Sequence, residues 1–172
     1  MLGTAFSYKC YLSPVLKIHL FRTFTCPIIR SGLSSFALKT NQLYSLIIFH
    51  RKILKSFLSL SKTAATLAIH FILGELPIEG KLHRDVFFLF YSVWTNGQSK
   101  IHQIVKYLLS MASKNSITWC SFLRDLSTKY NMKDPLDCLY EDPPSRSEYR
   151  EYILTKITSY YEKKVRTRSN DK

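Results

Sequence analysis

Glycine and proline are scarce, 5 and 6 among 172 residues, too few turn formers for a turn-dense all-β fold. The four cysteines, Cys10, Cys26, Cys120 and Cys138, stand far apart with no CxxC pair, which leaves neither a disulfide framework nor a zinc box and points to reduced, packing thiols. No Asp or Glu precedes Glu75. The longest stretch without Asp, Glu, Lys or Arg is Val86–Ser99, 14 residues, short of the roughly 20 that a membrane span needs. The opening residues lack the charged, apolar, small-residue order of a secretory signal. Their acid-free, Ser/Thr/Arg-containing composition keeps a transit peptide open as an alternative.

Apolar residues are present in quantity: 46% of the chain is hydrophobic and 14% aromatic, enough for a genuine core and against disorder. The formal charge is +13, and its placement matters more than its size. Residues 1–74 hold nine Lys or Arg and no acid, whereas the rest holds 16 basic against 12 acidic residues. A field of that sign attracts polyanions, either nucleic acid or an anionic membrane surface.

Helical periodicity recurs along the chain. Ser13–Pro14 is a capping residue followed by proline at the first helical position, predicting a helix over about 14–24 that Pro27 interrupts or restarts and Gly32 ends. Thr40 or Asn41 caps a helix over roughly 41–60, with Leu43, Leu46, Ile47, Ile53, Leu54, Phe57 and Leu58 on one side. Arg51, Lys55 and Lys62 gather opposite, with Lys52 at the margin. A second apolar helix is expected at 63–73, capped by Gly74, and a third at about 77–95, closed by the Asn96–Gly97 turn. Ile101, Ile104, Val105, Leu108, Leu109 and Ala112 predict an amphipathic helix buried along that stripe. Ser116 or Thr118 caps the next, with Trp119, Phe122, Leu123, Leu126 and Tyr130 inward, and Asp134–Pro135 starts a short turn. EDPPSRS at 141–147 reads as a linker. A last helix follows, capped by Ser147, with Tyr149, Tyr152, Ile153, Ile157 and Tyr160 inward and a charged, fraying end.

Catalytic constellations are missing. GELPIEG matches no phosphate loop, and no DxD, HExxH or local Ser/Cys–His–acid signature occurs. The histidines, His19, His50, His70, His83 and His102, have no second ligand at i+4 and read as packing or surface residues. The expectation is a non-enzyme without metal or cofactor. The basic set Arg51, Lys52, Lys55 and Lys62 is the strongest polar feature: cations on one helix face track phosphates, set against the plainer reading of a solvated face. Trp119, Tyr130 and the Tyr149–Tyr161 series offer rings for base stacking, but their helical spacing favours the core.

Three stretches carry a resemblance: Leu12–Pro14 with Thr25–Leu33; Phe49–Lys55 with Ala68–Glu79; and Thr118–Trp119 with Leu126, Tyr130 and Pro135–Leu136. Together, in order and spacing, they resemble the polypeptide of non-LTR (LINE-type) retrotransposons just downstream of the reverse-transcriptase palm. The resemblance implies a helical thumb and connector that grip a nucleic-acid duplex, with Arg51, Lys52 and Lys55 matching the family's basic residues and the catalytic carboxylates lying in the palm. Ser34 after Gly32–Leu33, where the family usually has Glu, and Met132–Asp134 before Pro135–Leu136 depart from the pattern.

The expectation is an all-α chain of six to eight helices in a compact, bundle-like array with a looser C-terminal helix. It divides into a basic thumb-like region (1–74), a connector (75–140), and a linker plus helix (141–172). The predicted role is a non-catalytic nucleic-acid-binding piece or remnant of a retrotransposon reverse transcriptase, in nucleus or cytoplasm, associating with a palm or with itself. The alternatives are an organelle-targeted (mitochondrial) or membrane-surface helical protein, or a translated fragment without selected activity.

Overall fold

The computed structural model describes residues 12–37, 40–65, 69, 70, 73, 76–112 and 118–170. Among them the chain is all-helical and has no strand. The elements are α1 (Pro14–Leu20), a π-turn (Phe21–Thr25), α2 (Cys26–Leu33), α3 (Thr40–Phe57), α4 (Ile78–Thr95), α5 (Lys100–Met111), α6 (Trp119–Lys129), α7 (Pro135–Cys138) and α8 (Arg146–Asn170). The Gly74 cap and most of the helix expected at 63–73 lie outside the described residues; Ile69 and His70 are helical and buried.

Pro27 neither breaks nor restarts the first helix. The helix widens one turn earlier, where the Cys26 N–H reaches back five residues to the Phe21 carbonyl. A proline has no N–H to give and crowds the carbonyl four residues before it; the π-turn absorbs both, and α1 runs on into α2. Ser13 caps α1 by accepting from Leu16 N at 3.3 Å.

Hydrophobic burial occurs in two clusters. The larger joins α4 through α8: Val86, Phe87, Phe90, Leu109, Leu123, Leu126, Ile153 and Ile157 are all nearly sealed from solvent. The smaller, in the N-terminal layer, is made by Ile18, Phe21, Cys26 and Phe57. Three polar ties fasten that layer to the bundle. Arg30 holds Asp85 with two nitrogens at 2.6 and 3.0 Å, Trp119 Nε1 donates to the Ser34 carbonyl at 3.0 Å, and Arg22 donates to the Leu73 carbonyl at 3.0 Å.

α8 is seated on the bundle by Tyr149, Ile153, Ile157 and Tyr161, one residue per turn. Tyr161, rather than Tyr160, is the buried tyrosine, and Tyr152 is 43% exposed, because the i, i+4 stripe passes between them. Ser145 and Glu148 form the start of α8: the Glu148 N–H donates to the serine hydroxyl and the glutamate accepts from the Ser145 N–H at 2.9 Å. This capping box displaces the cap expected at Ser147 by two residues. The helix does not fray at its charged run but continues to Asn170. The 141–147 linker is strapped down by Tyr91, which donates to the Pro144 carbonyl at 2.7 Å, and by Trp94, which donates to the Glu141 carbonyl at 2.9 Å.

Candidate nucleic-acid interface

α3 buries His50, Leu54 and Phe57. At about 100° per residue, Arg51, Lys52 and Lys55 fall within an arc of roughly 100° on the side away from these three. Lys52 is exposed; Arg51 and Lys55 are half-exposed at the flank. After Phe57 the chain reverses through Ser59, whose φ is 52°, and the Lys55 ammonium donates to the Lys62 carbonyl at 2.7 Å. The turn therefore brings exposed Lys62 back beside Lys55. Among the described residues, no carboxylate pairs with any of these four cations.

Other N-terminal cations are engaged elsewhere. Arg30 is neutralised by Asp85, and the Arg22 guanidinium is turned onto the Leu73 carbonyl. Lys9 and Lys39 lie outside the described residues. The acid-free N-terminal sequence thus does not translate into one unbroken cationic face; the ridge is confined to α3 and the turn after it. Tyr44 and Phe49, 61% and 50% exposed, flank the ridge on the same helix.

The aromatics named as possible stacking residues are occupied. Tyr130, Tyr149 and Tyr161 are buried, and Trp119 is half-buried with its indole N–H committed to Ser34. Tyr91 and Tyr149 stack on each other at 4.7 Å.

The histidines pack. His50 and His70 stack in parallel at 5.6 Å, and the Phe21 ring lies 5.8 Å from His50. Burial, then the neighbouring His70, Lys81 and Arg51, lowers the His50 pKa to about 3. His83 Nδ1 lies 2.6 Å from the Tyr130 hydroxyl, and burial followed by Lys129 lowers its pKa to about 4. Both rings are neutral at physiological pH. Beside His83, Lys129 donates to Glu79 at 2.6 Å. Burial alone would raise the Glu79 carboxyl, but the hydrogen bond and charge of Lys129 reverse that and leave it below the usual range.

Burial pushes the Cys138 thiol up to about 11 and the Cys120 thiol up as well, so neither is a thiolate at neutral pH. Among the described residues no three His, Cys, Asp or Glu side chains are grouped to hold a metal, and no helix is long and apolar enough to cross a membrane. A cavity of about 30 Å³ lined by Phe87, Phe90, Pro135 and Tyr149 has room for a water molecule but not for an organic substrate. No protein-family model, curated protein or solved structure matches the chain.

Proposed function

We propose that the chain is a non-catalytic nucleic-acid-binding helical protein that grips phosphates with Arg51, Lys52, Lys55 and Lys62, in keeping with its resemblance to the thumb and connector of non-LTR reverse transcriptases. The observation that carries this reading is the unpaired cationic ridge on α3, the one place where the N-terminal charge excess is both clustered and free of carboxylates. Phosphate contacts supply affinity without sequence preference, so the expected Kd is about 10⁻⁴–10⁻⁶ M at physiological salt. Four contacts on duplex DNA make log K fall with log salt at a slope near −3.6. Fluorescence anisotropy on duplex and single-stranded oligonucleotides across a salt series tests it. Reversal of Arg51, Lys52 and Lys55 to Glu should abolish binding to every sequence alike; no binding by the native chain at low salt removes the reading.

A membrane-surface role is the second reading. Val15, Phe24, Ile28 and Phe36, each more than half exposed, belong to the acid-free segment, and cations interleaved with exposed apolar side chains suit the interface of an anionic bilayer. Co-sedimentation with phosphatidylserine vesicles, lost when Phe24 and Ile28 become Ser while oligonucleotide binding persists, would favour this alternative.

A further inference from the structure

α5 is apolar on two sides, and the bundle covers only one of them. His102, Val105 and Leu109 are buried against α4, α6 and α7. Ile101, Ile104, Tyr107, Leu108 and Met111 are 46 to 66% exposed. At about 100° per residue these five occupy an arc of roughly 120°, its centre some 130° away from the buried face. The sequence reading expected Ile101, Ile104 and Leu108 to be core residues; the structure places them outside.

The spacing of the uncovered stripe is specific. Ile101, Ile104, Leu108 and Met111 follow one another at intervals of three, four and three residues, the repeat that lets one helix lay knobs into the holes of another. A free peptide of this length would not hold a helix, because nucleation is costly. Here the Ser99 cap, which accepts from His102 N at 3.1 Å, and the packed opposite face preform it.

Charge selects the occupant. α5 carries no acid. Lys106 is drawn to the far flank, its ammonium 3.7 Å above the Tyr140 ring, and leaves the stripe clear. Lys100 sits at the helix N-terminus, where its charge opposes the helix dipole. Beside an antiparallel copy, the same ammonium lies at the partner helix's C-terminal carbonyls, where a cation is favoured, and the two dipoles cancel. The two Lys100 side chains then lie about 15 Å apart along the seam, beyond the roughly 8 Å screening length at physiological salt.

Five side chains of about 120 Å² each give on the order of 600 Å² a side. That is the lower edge of specific interfaces, the size of a weak, reversible dimer.

We propose that the α5 stripe is a homodimer interface, in which two copies of this chain pair antiparallel about a two-fold axis, Ile101 facing Met111 and Ile104 facing Leu108 of the second copy. The interface does not involve α3 and stands apart from the nucleic-acid reading.

Sedimentation velocity on the full chain from about 1 to 300 µM, in reductant and high salt to exclude disulfides and bound nucleic acid, should show a monomer–dimer equilibrium with a Kd of tens of micromolar, about what so small an interface supports. Ile104→Lys and Leu108→Glu alter exposed positions, so their circular dichroism melts should match the native chain. Each alone should weaken dimerisation by at least about tenfold. Mixed together they should pair again, because the new lysine meets the new glutamate only in the antiparallel arrangement. A native chain that stays monomeric throughout, or single variants that associate like the native chain, would overturn the proposal. So would a mixture that fails to pair, and so would a monomer whose stripe instead binds phosphatidylserine vesicles in an Ile104→Lys-sensitive way.

Discussion

Ser59 and Asn131 both have φ near 52°, and each is the left-handed residue of a helix-ending motif. Leu60 N reaches the Lys55 carbonyl and Ser59 N the Ser56 carbonyl at the end of α3; Met132 N and Asn131 N bond Ser127 and Thr128 in the same pattern at the end of α6. Asparagine tolerates that conformation and serine does so less well. Ser59→Gly should therefore stabilise the chain by about 0.5–1 kcal/mol, read as a higher urea midpoint at unchanged slope. Gly80 is the opposite case. A Cβ there would meet the buried Tyr161 ring at 2.8 Å and Ile157 at 3.4 Å. Alanine gains about 1 kcal/mol of helix propensity, but an overpacked α4–α8 contact costs typically 1–3 kcal/mol, so Gly80→Ala should lower the midpoint. His50 and His83 give the pH dependence. Their folded pKa values, about 3 and about 4, lie below the roughly 6.5 of an unfolded histidine. Above pH 6.5 neither affects stability. As pH falls below it, the unfolded chain takes up protons that the folded chain refuses, and stability drops by up to about 1.4 kcal/mol per pH unit for each ring until the folded pKa is reached. Thermal melts should fall from pH 6.5 towards 4.5, and His50→Asn should make that slope shallower.

At the scale of elements, the tie between α2 and α4 rests on Arg30 and Asp85, whose side chains are 19% and 18% exposed. Replacing Asp85 by Asn removes the charge that offsets Arg30 while keeping its shape. Because water still reaches the pair, the expected loss is about 1–2 kcal/mol, between an exposed and a fully buried bridge. Amide exchange should rise first in α2. An exchange pattern indifferent to Asp85→Asn would mean that apolar contact alone docks the layer. α6 begins with a capping box of its own, Thr118 and Ser121 exchanging side-chain and backbone hydrogen bonds. The cap at Thr118 was readable from the sequence, whereas the Ser145–Glu148 box was passed over for Ser147 although its S-x-x-E spacing was in view.

The molecule as a whole has one large core and one small one. The α4–α8 cluster spans five helices, whereas the N-terminal layer encloses only Ile18, Phe21, Cys26 and Phe57 as fully buried apolar residues. Local opening should follow that inequality. Native-state hydrogen exchange should protect Val86–Phe90 and Leu123–Leu126 far more than Ile18–Cys26, and equal protection would show that the two layers open as one unit.

The all-α class, the helix ranges and most of the buried positions followed from the sequence by itself, because a 3.6-residue repeat of apolar side chains and a few capping residues suffice to specify amphipathic helices. The same local rules made the four α3 cations a candidate set by residue type and spacing. Tertiary structure decided which apolar stripe is covered and which cation is spent. Nothing in the repeat of α5 distinguishes Val105 and Leu109, which the bundle seals, from Ile104 and Leu108, which it leaves open, since both lie on an apolar arc and only the position of α4, α6 and α7 chooses between them. Arg30 and Arg51 are likewise equal as residues; Arg30 loses its reach because Asp85, 55 positions away, folds against it, and a pairing over that distance has no local signal.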